Sequence, residues 1–260
     1  MVLKKHVVHH NFQNVNYKKH FTVLFLYLLE LNSYNYNGDI VNKYKIVMLM
    51  VFLCFALAMQ KVNEHILDLP LFGKVIYVDP GHGGRDPGAN YKDILEKNIN
   101  LEISKILSDA LMEKGAIVYM TRENDYDLAR PNIAERKRSD LSRRIRMINE
   151  SACDLYLSIH LNATPSSTWR GAQVFYDDIN DKNKLLGEKI QASFKKYLGS
   201  KRKLKQINDL YMYRMIQRPG VLLEVGFLSN ANERYVLQKP YYQKKIAKAI
   251  TEGVINYFYE

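Results

Sequence analysis

Cysteine is scarce in this chain, with two among 260 residues, Cys54 and Cys153. Cys54 lies in an apolar run and Cys153 precedes an expected strand, so no disulfide framework and no cysteine-based zinc motif can be written. Tryptophan occurs once, at Trp169. No stretch carries the basic–aromatic pattern of a nucleic-acid module, so no nucleic-acid partner is expected. There is no internal repeat, and no uncharged run reaches the ~20 residues of a comfortable bilayer span. Histidine is nearly missing from the larger part of the chain: of seven, only His82 and His160 lie beyond residue 73.

What is present begins with charge. The chain carries 38 Lys+Arg against 27 Asp+Glu, a formal net charge of +11. That balance favours anionic surroundings such as nucleic acid, anionic lipid or an acidic wall polymer, or it forms a solvated basic surface. Ile46 to Met59 is an unbroken apolar run, preceded by Lys43 and Lys45 and followed by Lys61. It has the length of a signal-peptide core, and Ala56-Leu57-Ala58 resembles a small-x-small cleavage pattern. An uncleaved signal-anchor and a buried core helix are the alternatives. Residues 1–42 hold His6, His9, His10 and His20 and a second apolar patch, Phe21 to Leu31. They read as a long leader, or as sequence upstream of the true start, with the histidines on a solvated tail. Residues 1–73 are therefore expected to be an export or anchor segment, and any membrane contact to run through it alone.

Residues 74–260 read as one α/β domain. Strands are expected at Lys74–Val78, Ala116–Thr121, Leu155–Ile159, Gly171–Tyr176 and Val221–Phe227, with a short one at Asp209–Tyr213. Ile99, Ile103, Ile106, Leu107, Ala110 and Leu111 share one helical face, and Gly115 stops that helix. Further helices are expected at Asp140–Glu150, Lys184–Leu198 and Tyr241–Tyr259. The alternation predicts three layers: a mostly parallel twisted sheet with helices on both faces. Ligands of such sheets bind beyond the carboxyl ends of the strands, where His82 and His160 both fall.

His82 sits among Gly81, Gly83 and Gly84, where backbone can turn sharply and approach a ligand; a solvated loop histidine is the alternative. Glu96 stands three residues after Asp93, so it is either the far half of a helix-capping box or a group carried to the rim by the start of a helix. His160 closes an apolar strand, as a ligand or as a satisfied core histidine, and Asn162 beyond it can orient a ligand or substrate. Glu224 interrupts Val221–Phe227, where an unpaired carboxylate costs several kcal/mol. It pairs structurally, with Arg144 for example, or it is a general base whose pKa burial has raised. Two histidines and a glutamate make the three-ligand shell of a catalytic zinc, with Glu224 left to move protons. Trp169 either stacks on a sugar or anchors its loop.

Together these residues resemble the zinc-dependent N-acetylmuramoyl-L-alanine amidases, the amidase 3 family. The resemblance rests on Val78-Asp79-Pro80-Gly81-His82-Gly83-Gly84 with Asp86-Pro87-Gly88-Ala89, then Glu96, Thr121-Arg122, Leu141, Arg144 and Asn149. It continues through Asp154 to Ala163 and Leu223 to Asn230, and spans Lys74 to Glu260. It implies zinc held by His82, Glu96 and His160, Glu224 as base and then acid, and the amide between muramic acid and L-alanine of peptidoglycan as substrate. The segments Arg130 to Leu141 and Gly171 to Asp178 are most similar to the germination-specific subgroup of spore formers. That likeness implies removal of stem peptides from spore cortex glycan ahead of muramic-δ-lactam formation, on the outer side of the membrane. A vegetative wall amidase, a peptidase cutting within the stem peptide, and a silent peptidoglycan-binding protein are the alternatives. Only Thr164 to Arg170 separates Ala163 from the next strand, too short for the plugging helix of some relatives. An open site is expected, controlled by timing, export or an activating partner protein.

Overall fold

The computed structural model describes residues 38–67 and 69–259, so the histidines of residues 1–37 lie outside the described residues. Two compact units divide the chain, Met1–Val62 and Asn63–Glu260. Helix α1 (Gly38–Leu67) carries the apolar run. Met48, Val51, Leu53 and Phe55 along it are all more than half exposed. Among the described residues no helix is long and apolar enough to cross a membrane.

The second unit runs β1 (Val75–Pro80), β2 (Asn90–Tyr91), β3 (Ile94–Leu95), α2 (Glu96–Met112), β4 (Ile117–Met120), α3 (Arg136–Glu150) and β5 (Leu155–Asn162). It continues with β6 (Gln173–Tyr176), α4 (Lys182–Leu198), β7 (Lys205–Gln206), α5 (Tyr211–Met215), β8 (Gly220–Phe227), α6 (Ala231–Leu237) and α7 (Pro240–Phe258). Six strands form one sheet in the order β4-β1-β5-β8-β6-β7, and β2 and β3 form a separate hairpin. Only the β6–β8 pairing is antiparallel in the large sheet.

Alternation along the strands builds two cores. Val78, Leu157 and Leu223 face Ile103 and Leu107 of α2, Phe194 of α4 and Ile250 of α7. Their chain neighbours Tyr77, Tyr156 and Leu222 face Ile145 and Ile148 of α3 and Tyr213 of α5. Successive strand residues point to opposite faces, so adjacent apolar pairs mark strands covered on both sides. Each fully buried Leu, Ile or Phe contributes about 1.5–3 kcal/mol, which holds the rim that carries the polar groups.

The expected three-layer α/β domain is thus found, with local departures. Helix α3 begins at Arg136, a turn ahead of Asp140. Strand β5 runs on to Asn162, so His160 lies inside the ladder opposite Glu224 instead of ending it. Asp209–Tyr213 is not a strand; α5 occupies Tyr211–Met215 because Met212 and Tyr213, adjacent in sequence, are both buried on one side of the sheet. Asp93 caps nothing: it lies in the β2–β3 turn, and Leu95 is the N-cap residue, without a side-chain cap bond. The segment between β5 and β6 passes over the rim with no helix.

Candidate metal centre

The first strand leaves the sheet through Gly81, whose N–H donates to the Ile159 carbonyl at 2.9 Å. His82 then adopts a left-handed backbone, φ 61°, unusual for a residue with a Cβ. Two guanidiniums hold that turn. Arg122 Nε and Nη2 donate to the carbonyls of Pro80 and Gly81 at 3.0 and 2.9 Å. Arg144 Nη1 and Nη2 donate to those of Pro80 and His82 at 2.8 and 2.7 Å. Beneath them Asp79, 1 % exposed, accepts from Arg144 Nη1 (2.6 Å), Thr121 Oγ1 (2.6 Å) and Ser158 Oγ (2.8 Å). Burial opposes ionisation of Asp79, but Arg144 and these hydroxyl donors hold its pKa below the usual carboxylate range.

Around this turn the ligand atoms converge. Ring nitrogens of His82 and His160 and a carboxylate oxygen of Glu96 lie within 4.8 Å of one another. His82 Nε2 is 3.2 Å from Glu96 Oε2, and His160 Nδ1 is 3.0 Å from Glu96 Oε1. The two imidazoles meet edge to face, centroids 4.8 Å apart. Glu96 is fixed as the first residue of α2: its Oε2 accepts from Ala89 N (2.8 Å), and its Oε1 from Leu161 N (2.9 Å) and Asn100 Nδ2 (3.2 Å). Burial would raise its pKa, but the two histidines keep it far below the usual range. His82 Nδ1 lies 2.9 Å from Asp86 Oδ2, which leaves Nε2 facing the cluster. Burial would lower the pKa of His82, yet the Asp86 and Glu96 carboxylates push it up to about 9.

Two glycines make room. A Cβ on Gly81 would stand 2.3 Å from the His160 ring, and one on Gly88 would stand 2.6 Å from both Glu96 Oε2 and the His82 ring. Glu224 sits on β8 level with His160. It opens slightly at the rim, but its Oε2 is sealed from solvent and has no hydrogen-bond partner. Burial, then the negative charge of Glu96, push its pKa up to about 8. Arg144 pairs instead with Asp79 and Asp140, so the structural-pairing alternative for Glu224 is not realised. Between Glu224 and Phe227 the β8 ladder slips against β5, a bulge of the kind that re-aims side chains beside active sites. Two nitrogens and one oxygen, with a proton-accepting carboxyl left over, are the donor chemistry of a three-ligand catalytic zinc, and the residues present fit that ion.

The family model for N-acetylmuramoyl-L-alanine amidase matches residues 76–256, from β1 through most of α7. The chain belongs to the amidase 3 family. This amidase is 46 % identical over 196 residues to the germination-specific N-acetylmuramoyl-L-alanine amidase of Bacillus subtilis, covering 74 % of this chain and 83 % of the relative. The CwlD amidase of Clostridioides difficile, solved in complex with the GerS lipoprotein, is 36 % identical with a TM-score of 0.69. That match covers 72 % of this amidase and 98 % of CwlD. An N-acetylmuramoyl-L-alanine amidase of Clostridium difficile 630 is 29 % identical at a TM-score of 0.64, covering 71 % and 96 %. The activity of the amidase is therefore hydrolysis of the muramoyl–L-alanine amide of peptidoglycan.

The other residues singled out by sequence fall around the centre. Asn162 ends β5, and its carbonyl accepts from Leu228 N at 2.8 Å. Trp169 is half exposed, and the Arg202 guanidinium lies 4.8 Å from its ring centre, covering one face. Asp86, Asp79, Ser158, Arg122 and Asn100 were not singled out as site groups. Asp86, four residues after His82, and Asn100, four after Glu96, carry a legible spacing; the others act through pairings up to 79 positions apart.

Proposed function

We propose that this amidase is zinc-dependent and strips stem peptides from spore cortex glycan, supplying the substrate for muramic-δ-lactam formation. The observation that carries the zinc reading is the convergence of His82, Glu96 and His160 within 4.8 Å, beside a carboxyl with no partner. In this reading those three residues are the ligands. Zinc, when bound, supplies a Lewis acid for the scissile carbonyl and makes water acidic enough to attack near neutral pH. Asp86 holds His82 in the tautomer that offers Nε2. Glu224 takes a proton from the attacking water and delivers it to the nitrogen of the departing L-alanine, work suited to a carboxyl whose proton affinity burial has raised. Arg144 and Arg122 keep the His82 turn in its strained shape and touch no reacting atom.

The cortex reading rests on likeness to the germination-specific relative. The exposed apolar run Ile46–Met59 of α1, flanked by Lys43, Lys45 and Lys61, serves as signal peptide or anchor and delivers the enzyme to the outer side of the membrane. CwlD was solved with a lipoprotein, and a partner of that kind, activating the enzyme, is part of the proposal for this chain. The test is digestion of purified cortex glycan by the zinc-loaded full chain, with products identified by mass. Peptide-free glycan and intact stem peptides with a free L-alanine amine are expected. Cuts inside the stem peptide, or release only from vegetative wall, would overturn the respective part.

A further inference from the structure

Two flanks of the metal centre differ in charge. On the side of His160 and Glu224, a cleft of about 360 Å³ is lined by Asn90, Tyr91, Thr164, Pro165, Ser167 and Ser229, all uncharged. These residues belong to the segments next to Glu96, His160 and Glu224 in sequence, so the cleft adjoins the centre. On the side of His82, a groove of about 240 Å³ follows the exposed flank of α3, lined by Arg130, Arg138, Arg143 and Arg146 with Glu135 as the one acid. Nearby basic groups are otherwise engaged: Arg144 is spent on Asp79 and Asp140, and Arg136 on Asp127. The four groove arginines form no ion pair among the described residues; Arg138 rests over the Tyr211 ring, 5.7 Å from its centre.

The groove is tied to the His82 turn. Arg130 N donates to Ser139 Oγ at 3.1 Å, and Leu128 N to Asp140 at 2.7 Å. Asp140 binds Arg144, which in turn holds the His82 carbonyl. Arg85 N donates to Asp127, the partner of Arg136. The groove arginines thus lie on and beside the helix that braces the His82 turn.

We propose that this groove binds the carboxylates of an acidic peptide, and that the stem peptide of the substrate lies along α3 while its sugar occupies the uncharged cleft. The inference rests on the amidase reading, since the scissile amide joins a neutral sugar to a peptide bearing free carboxylates. Charge complementarity chooses the flank, and the hydrogen bonds through Asp140 and Arg144 connect the groove to the His82 turn. Arginine suits the task because its planar fork matches a carboxylate.

The test compares the zinc-loaded full chain with an Arg143→Glu/Arg146→Glu variant and an Arg143→Lys/Arg146→Lys variant. Two muramoyl-peptides are used, one with free carboxylates and one with the same groups as carboxamides. The wild type should prefer the carboxylate substrate, less so as salt rises from about 0.05 to 0.5 M. Charge reversal should cut that preference about tenfold, through KM more than kcat, and the lysine pair should restore most of it. Binding of the acidic peptide alone, followed by calorimetry, should weaken in the reversed variant. Equal handling of the two substrates by the wild type, or an unchanged preference after reversal, would overturn the proposal while leaving the amidase reading intact. Loss of binding to phosphatidylglycerol vesicles with unchanged cleavage would also overturn it, making the groove a lipid site. If the wild type cleaved neither substrate, the amidase reading would fall, and the calorimetry would still decide whether the groove takes acidic peptides.

Discussion

Arg144 donates to the main-chain oxygen of His82 at 2.7 Å while its other nitrogens hold Asp79 and Asp140. One buried guanidinium therefore joins a strand end, a helix and the left-handed turn at His82. Replacing it with alanine strands the Asp79 carboxylate in a dry core. Arg144→Ala should lose about 3–5 kcal/mol of stability in urea unfolding. Arg144→Lys, which keeps the charge without the fork, should still fold but bind zinc about 10–100-fold more weakly. Unaltered zinc affinity in the lysine variant would show that the turn holds its shape unaided.

Asp79 also sets an acid limit. Its folded pKa is lowered, so its ion pair is fully stabilising above the unfolded value, about 3.9, and is lost as pH falls through the lower folded value. The metal-free protein should lose stability below about pH 4, with a steeper slope than an Asp79→Asn variant. Chemical denaturation at several pH values measures both slopes, and equal slopes would remove Asp79 from the account.

Glu224 works in the opposite sense. A carboxyl raised to about 8 binds a proton in the folded metal-free state that the unfolded chain has released above about pH 4.3. Folding stability from this group therefore falls as pH rises through that window. Glu224→Gln should be more stable than the parent at pH 8, by several kcal/mol, with the gap closing near pH 4. The same variant should retain zinc and lose turnover. Retained turnover would assign the proton transfers elsewhere.

Gly81 has no space for a side chain. A methyl there meets the His160 imidazole at 2.3 Å, so one of the two must shift. Gly81→Ala should fold and yet lose zinc affinity at least as far as His160→Ala does, as read by metal titration. Zinc affinity equal to that of the parent would mean the His160 ring has a second place to stand.

The sheet and its long helices were legible because their apolar spacing reports burial directly: Ile99, Ile103 and Leu107 share a face, and Val221 to Phe227 is covered on both sides. Four polar residues at the rim were legible as anomalies, above all Glu224. The Asp93–Glu96 spacing misled, since Asp93 turns a two-strand hairpin and Glu96 opens the helix as its first residue. The α5 segment misled because a five-residue helix is too short to show a period. Asp79, Ser158 and Arg122 were silent because the contacts that tie them together and to the His82 turn span 41 to 79 positions, and no local spacing encodes such a contact.

All four polar groups of the centre, and the arginines that brace it, belong to the unit Asn63–Glu260, whereas the apolar side chains described on α1 precede it. In the proposed reading, delivery and cutting are written in separate stretches of the chain. A tethered enzyme and one released by cleavage near Ala58 would carry the same chemistry, and would differ only in how far from the membrane they can reach.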